Sequence, residues 1–182
     1  MARTYILILI GVFLLFTPLA YPEDSAWKDE AGHPVPNSES RISKNGFGGW
    51  LVVTPDADWE QKWNTSPETV PHFTTSETVE KGKQLTILIF FVNPKVDEKN
   101  KADITCDIQS IRPDGSLSIN SHDVVCYRAK IEGSPYNIRL SAPIIKYVGE
   151  AKDPPGKWTI RVTLKDNLRH VRLPLKTSFI LR

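Results

Sequence analysis

The sequence predicts an all-β protein, an antiparallel sandwich of roughly seven to nine strands. Three observations predict it. From Thr78 onward apolar residues recur at every second position. Turn signals such as Asn93-Pro94, Arg112-Pro113-Asp114-Gly115 and Asp153-Pro154-Pro155-Gly156 interrupt the chain at short intervals. Helical periodicity is nearly absent, and two half-wet sheets hide their dry faces only against one another.

The chain has 182 residues and opens on Met1-Ala2-Arg3, an apolar run from Ile6 to Phe16, and Pro18-Leu19-Ala20. That order reads as a signal peptide over 1–20 with cleavage after Ala20. The apolar run is about 12 residues, whereas a membrane-crossing helix needs about 20. No membrane span is expected after cleavage. The alternative is an uncleaved N-terminal anchor. The expected address is therefore periplasmic or secreted.

Residues 21–47 are polar and rich in turn formers, with Gly32-His33-Pro34-Val35-Pro36 at their centre. They read as a flexible N-terminal arm unless they dock. A sandwich domain is expected over 48–182, a length that supports one core. Its first strand is Trp50-Leu51-Val52-Val53. A Trp- and Pro-rich insertion follows over 55–76, where Thr54 and Pro55 suit the start of a short helix. Trp59 and Trp63 would share one face of it. Pro67 and Pro71 forbid a long helix. A connection of this length is either functional or a cover on the core.

The segment 84–92 is apolar on both parities, which marks a central strand covered on both faces. In 102–109, Ala102, Ile104, Cys106 and Ile108 alternate with Asp103, Thr105, Asp107 and Gln109. This strand has one dry face and one wet face. Leu117 and Ile119 lead to a strand around 123–128, and short strands are expected near 138–140 and 144–147. In 158–164, Trp158, Ile160, Val162 and Leu164 point inward. Val171, Leu173, Leu175, Phe179 and Leu181 do the same in the last strand, where Pro174 demands an edge or a bulge.

Lys81-Gly82-Lys83 before the long apolar strand, Arg112-Pro113-Asp114-Gly115, Pro155-Gly156-Lys157-Trp158 and the terminal hairpin together resemble bacterial immunoglobulin-like extracytoplasmic domains over roughly 78–182. The resemblance implies an immunoglobulin-like architecture rather than an activity, because such sandwiches host many functions. The chain departs from antibody domains. No Trp lies between its two cysteines, and their spacing is too short to join two sheets.

Cys106 and Cys126 are the only cysteines, and in an exported chain they are expected to form one disulfide. Two buried free thiols are the alternative. A formal charge of +2 supplies no basic footprint for nucleic acid, which is not expected as a partner. His33, His72, His122 and His170 show no metal-ligand spacing, so no metal or cofactor is expected. Ser121-His122-Asp123 are consecutive, and strand neighbours alternate between faces; they cannot work as a triad. No nucleophile elbow or phosphate-cradling loop occurs. The expectation is a non-enzymatic interaction or accessory module that binds an envelope or extracellular protein through loops or an edge strand. The C-terminal edge is the strand first in view. The alternative is a carbohydrate-binding module that stacks sugars on Trp59, Trp63 and Phe73.

Overall fold

The computed structural model describes residues 25–29, 31–65 and 71–182. The expected signal peptide lies outside the described residues. The chain is an all-β sandwich of two sheets. Its strands are β1 (Arg41–Lys44), β2 (Phe47–Thr54), β3 (Thr78–Val79), β4 (Gln84–Val92), β5 (Lys101–Ile111), β6 (Leu117–Lys130), β7 (Arg139–Leu140), β8 (Ile145–Val148), β9 (Gly156–Asp166) and β10 (Val171–Leu181). The one helix among the described residues, α1, spans Trp59–Trp63.

The first sheet runs β1-β2-β4-β7, with β8 also paired to β4. The second runs β3-β10-β9-β5-β6. Pairing is antiparallel except where β3 meets β10 in parallel at Val79 and Leu181. That exception to the expected antiparallel pattern arises because β3 arrives through the long 55–76 crossover rather than a hairpin.

Period-two patterning places the core as the sequence suggests. Leu51, Val53, Leu85, Ile87, Ile89 and Phe91 descend from the first sheet onto Ile104, Cys106, Ile160, Val162, Leu164 and Leu175 of the second. Trp158 is fully buried. It stacks along Phe179, its cross-strand partner, and donates its indole N–H to the Pro154 carbonyl at 3.1 Å.

Three expectations need correction. The sandwich does not begin at residue 48, which lies inside β2, and 21–47 is not simply a loose arm. Strand β1 pairs with β2 from Arg41↔Trp50 to Lys44↔Phe47. Trp27 is buried and donates to the Ile42 carbonyl at 3.2 Å. Glycine at position 48 makes room for it, since a Cβ there would stand 2.8 Å from the Trp27 indole nitrogen. The aromatic-rich insertion therefore follows the second strand, not the first. Thr54 does not cap the helix either. It ends β2, and its hydroxyl accepts from the Asp56 N–H at 3.1 Å, so α1 starts four residues later than expected, after Asp58.

Cys106 and Cys126 form a disulfide with Cα atoms 5.9 Å apart. It joins neighbouring strands β5 and β6 within one sheet, in keeping with a spacing too short to cross between sheets.

At one pole the fold is knitted by Asp166 and Arg169. Asp166 is 1% exposed. Its carboxylate accepts from the Lys95 and Arg169 backbone N–H groups at 2.8 and 2.9 Å. The Arg169 guanidinium donates to the Asn45 and Asn93 carbonyls at 2.9 and 3.0 Å. One side chain thus ties the β1–β2 turn to the segment after β4.

Candidate functional site

The structure brings Trp59, Trp63 and Phe73 together on the outer face of the first sheet. That face carries Val52, Leu88 and Phe90, all buried beneath a cover of Trp50, Trp59, Trp63, Phe73, Leu140 and Ile144. Phe90 is the hub. Ring centroids of Trp50, Trp63 and Phe73 lie 5.6, 5.2 and 5.7 Å from its own. Trp27 meets Trp50 edge-on at 6.2 Å, and the Arg41 guanidinium sits 5.9 Å from the Trp50 ring centre. Trp27 and Arg41 escaped the sequence reading. The unusual apolarity of 84–92 on both parities was the signal that something had to cover this face.

An ion cluster pins the cover. Asp56 lies 2.8 Å from Lys62, which also stands 3.4 Å from Asp58. The Asp56 carboxylate accepts the Thr74 N–H at 2.9 Å. Burial alone would raise the Asp56 pKa. The Lys62 ammonium and the Thr74 and Thr54 hydrogen bonds outweigh it and hold the group at about 2.

A second cluster lies on the outer face of the other sheet. Lys165, 7% exposed, places its ammonium 2.6 Å from Asp107 and 2.8 Å from Asp123. His122 Nδ1 is 3.7 Å from Asp107. A bulge assembles this group. Cys106 pairs with Val124 and Ile108 with Ser121, so His122 and Asp123 both stand opposite Asp107. Strict alternation fails there, yet Ser121 stays opposite Ile108 and does not join the other two. Desolvation pulls the Lys165 pKa down, but the hydrogen bonds from Asp107 and Asp123 prevail and raise it. Its ammonium therefore stays protonated near neutral pH and is neither nucleophile nor base. Sequence missed this cluster because its members come from three strands.

Among the described residues, no group of three or more His, Cys, Asp and Glu is arranged to hold a metal ion. No helix there is long and apolar enough to cross a membrane.

The two edges of the second sheet differ. On β10, Pro174 faces no outer strand, as its missing N–H requires. Further along, the Lys176 N–H donates to the Glu39 carbonyl at 2.7 Å, and its side chain pairs with the Glu39 carboxylate at 2.9 Å. Beyond that β3 takes over. The C-terminal edge expected to receive a partner strand is thus largely occupied within the chain itself. The β6 edge pairs only with β5. Among the described residues, its outward backbone meets one other segment, where the Ala142 N–H reaches the Cys126 carbonyl.

Beside β6, across the sandwich, lie β7 and β8 at the edge of the first sheet. Of the seven large apolar side chains exposed among the described residues, Leu117, Ile119 and Val125 belong to β6, Tyr136 and Ile138 to the β6–β7 loop, and Val148 to β8. Only Ile180 lies elsewhere. Individually such residues are unremarkable, and six of the seven lie along this margin of the two sheets.

No family model and no curated protein matches the chain. Among solved structures it is similar to a family 123 glycoside hydrolase from Clostridium perfringens, with a TM-score of 0.42 and 11% identity over 74% of this chain and 27% of that one. It is also similar to the alkylpurine DNA glycosylase AlkC of Pseudomonas fluorescens, with a TM-score of 0.35 and 13% identity over 58% of this chain and 28% of that one. A Niemann-Pick type C2 protein from the Japanese carpenter ant gives a TM-score of 0.37 and 8% identity over 72% and 89% of the two chains. The chain spans little more than a quarter of the first two. Likenesses this weak carry no argument.

Proposed function

We propose that this protein is an exported, non-enzymatic interaction module of the periplasm or cell surface, which binds another protein through the open side of its sandwich. The observation that supports this reading is that six of the seven large apolar side chains exposed among the described residues belong to β6, the β6–β7 loop and β8, where both sheets end without a neighbour. Exposed strand edges are common routes of protein recognition. The disulfide fits an oxidising compartment. Trp59, Trp63 and Phe73 are read as cover for the first sheet rather than as a glycan platform, because Trp63 and Phe73 pack on Phe90 and Trp59 packs against the same cluster.

The test is site-specific photo-crosslinking in extracts of the source envelope or medium. A crosslinker at position 117 or 125 is expected to capture a discrete protein, and one at Arg172 on β10 is not. Absence of adducts at 117 and 125, or equal capture at Arg172, overturns the reading.

A further inference from the structure

Sheet edges left bare invite uncontrolled pairing, and proteins blunt them with proline, charge or a covering segment. This chain does so on β10, with Pro174, Lys176–Glu39 and β3. Residues 117–121 of β6, Leu-Ser-Ile-Asn-Ser, carry neither proline nor charge. The strip has defined ends. At one, the Arg112 guanidinium donates to the Leu117 carbonyl at 2.7 Å. At the other stands the His122–Asp123 bulge.

Alongside the strip a small slot opens between the sheets, with a cavity volume of about 30 Å³. Its lining includes Ile87, Ile108, Ile119, Ile145 and Ser110. Ser110 is 3% exposed, and its hydroxyl has no hydrogen-bond partner. Buried hydroxyls are seldom left so. Lys146 lines the slot and is exposed. Among the described residues, neither Lys146 nor Arg112 forms an ion pair. The surroundings of the strip are thus apolar in the slot and cationic at the rim.

Resting on the proposed interaction module, we infer that the partner offers an extended segment that adds as a strand to residues 117–121 of β6. It lays an apolar side chain over the mouth of the slot against Ile119 and Ile145, and its acidic residue meets Lys146 and Arg112. Backbone pairing supplies attachment, while alternate side chains supply selection, since those facing the first sheet lie over the slot. The opposite rim charge excludes cationic segments.

Two labelled peptides test this by fluorescence anisotropy with the full chain. Both alternate valine and threonine; one ends in aspartate and the other in lysine. The acidic peptide is expected to bind at least about tenfold more tightly. Lys146→Glu should remove that preference, and Ile119→Asp should weaken the acidic peptide by about tenfold. Arg172→Ala, on β10 and away from the strip, should leave binding unchanged. Amide exchange should slow at 117–121 when peptide binds. The inference is overturned if neither peptide binds, if the two bind equally, if protection falls outside β6, or if copies of the chain pair through β6 and exclude the peptide. If crosslinking at position 117 captures a partner while the peptides fail, the interaction module stands and strand addition falls.

Discussion

Trp63 packs against Phe90 with ring centroids 5.2 Å apart, so a residue of the short helix closes over a strand that is apolar on both sides. Trp63→Ala should lower stability by about 2 kcal/mol, since it strips cover from a buried face but leaves the main core intact. Urea unfolding measures the change. If the ring is cover alone, a glycan panel should leave the tryptophan fluorescence of the native protein unaltered. A sugar-dependent shift abolished in a still-folded Trp63→Ala would restore a binding role.

The Asp56–Lys62 contact predicts an acid-sensitive cover. Asp56 titrates near 2 in the fold against an ordinary 3.8. A depressed carboxylate contributes stability that is present above its unfolded value and is lost as pH falls through the folded one. The window is therefore about pH 4 down to 2. After solvent screening the contribution is about 1 kcal/mol. Asp56→Asn should lose it at neutral pH and flatten the stability profile across that window, as followed by thermal unfolding.

Lys165, itself buried, is held between Asp107 and a largely exposed Asp123. Lys165→Met should destabilise by about 1–3 kcal/mol, because Asp107 and Asp123 then face one another without their shared counter-charge. Adding Asp107→Leu should recover much of the loss. If the double variant is less stable than Lys165→Met, the cluster is not a compensated pair of charges. The depressed pKa of Asp107, in which the Lys165 hydrogen bond opposes burial, predicts a loss of stability on the acid side as well.

The bridge between β5 and β6 should resist alkylation unless reductant is present, which intact mass reads directly. Replacing both cysteines with alanine should cost about 3 kcal/mol in the chain-entropy description of a loop this long. Two alkyl groups added to the unreduced protein would refute the bridge.

What was legible in the sequence follows from which forces are local. Alternation at Trp158, Ile160, Val162 and Leu164 settles which face of β9 is dry, whatever its neighbours. The doubly apolar β4 announced a second covered face. Strand β1 was not legible, because Arg41-Ile42-Ser43-Lys44 has almost no pattern of its own. Its order comes from pairing with β2 and from Trp27 resting on Gly48, contacts that no window of sequence displays. The helix start was misplaced because Thr54 had two suitors, and the ladder with β4 took it. Which edges stay bare is decided by strand order alone. For that reason β10, marked by its proline, drew notice while β6 did not.

The unequal margins of the second sheet bear on how many molecules join. A subunit able to accept a neighbour on both flanks propagates rows and, eventually, fibres. Here Glu39 and Pro174 blunt one flank, so growth by strand addition should stop after a single partner. Complexes built by this protein should be discrete in stoichiometry, and its own concentration should not drive it into filaments.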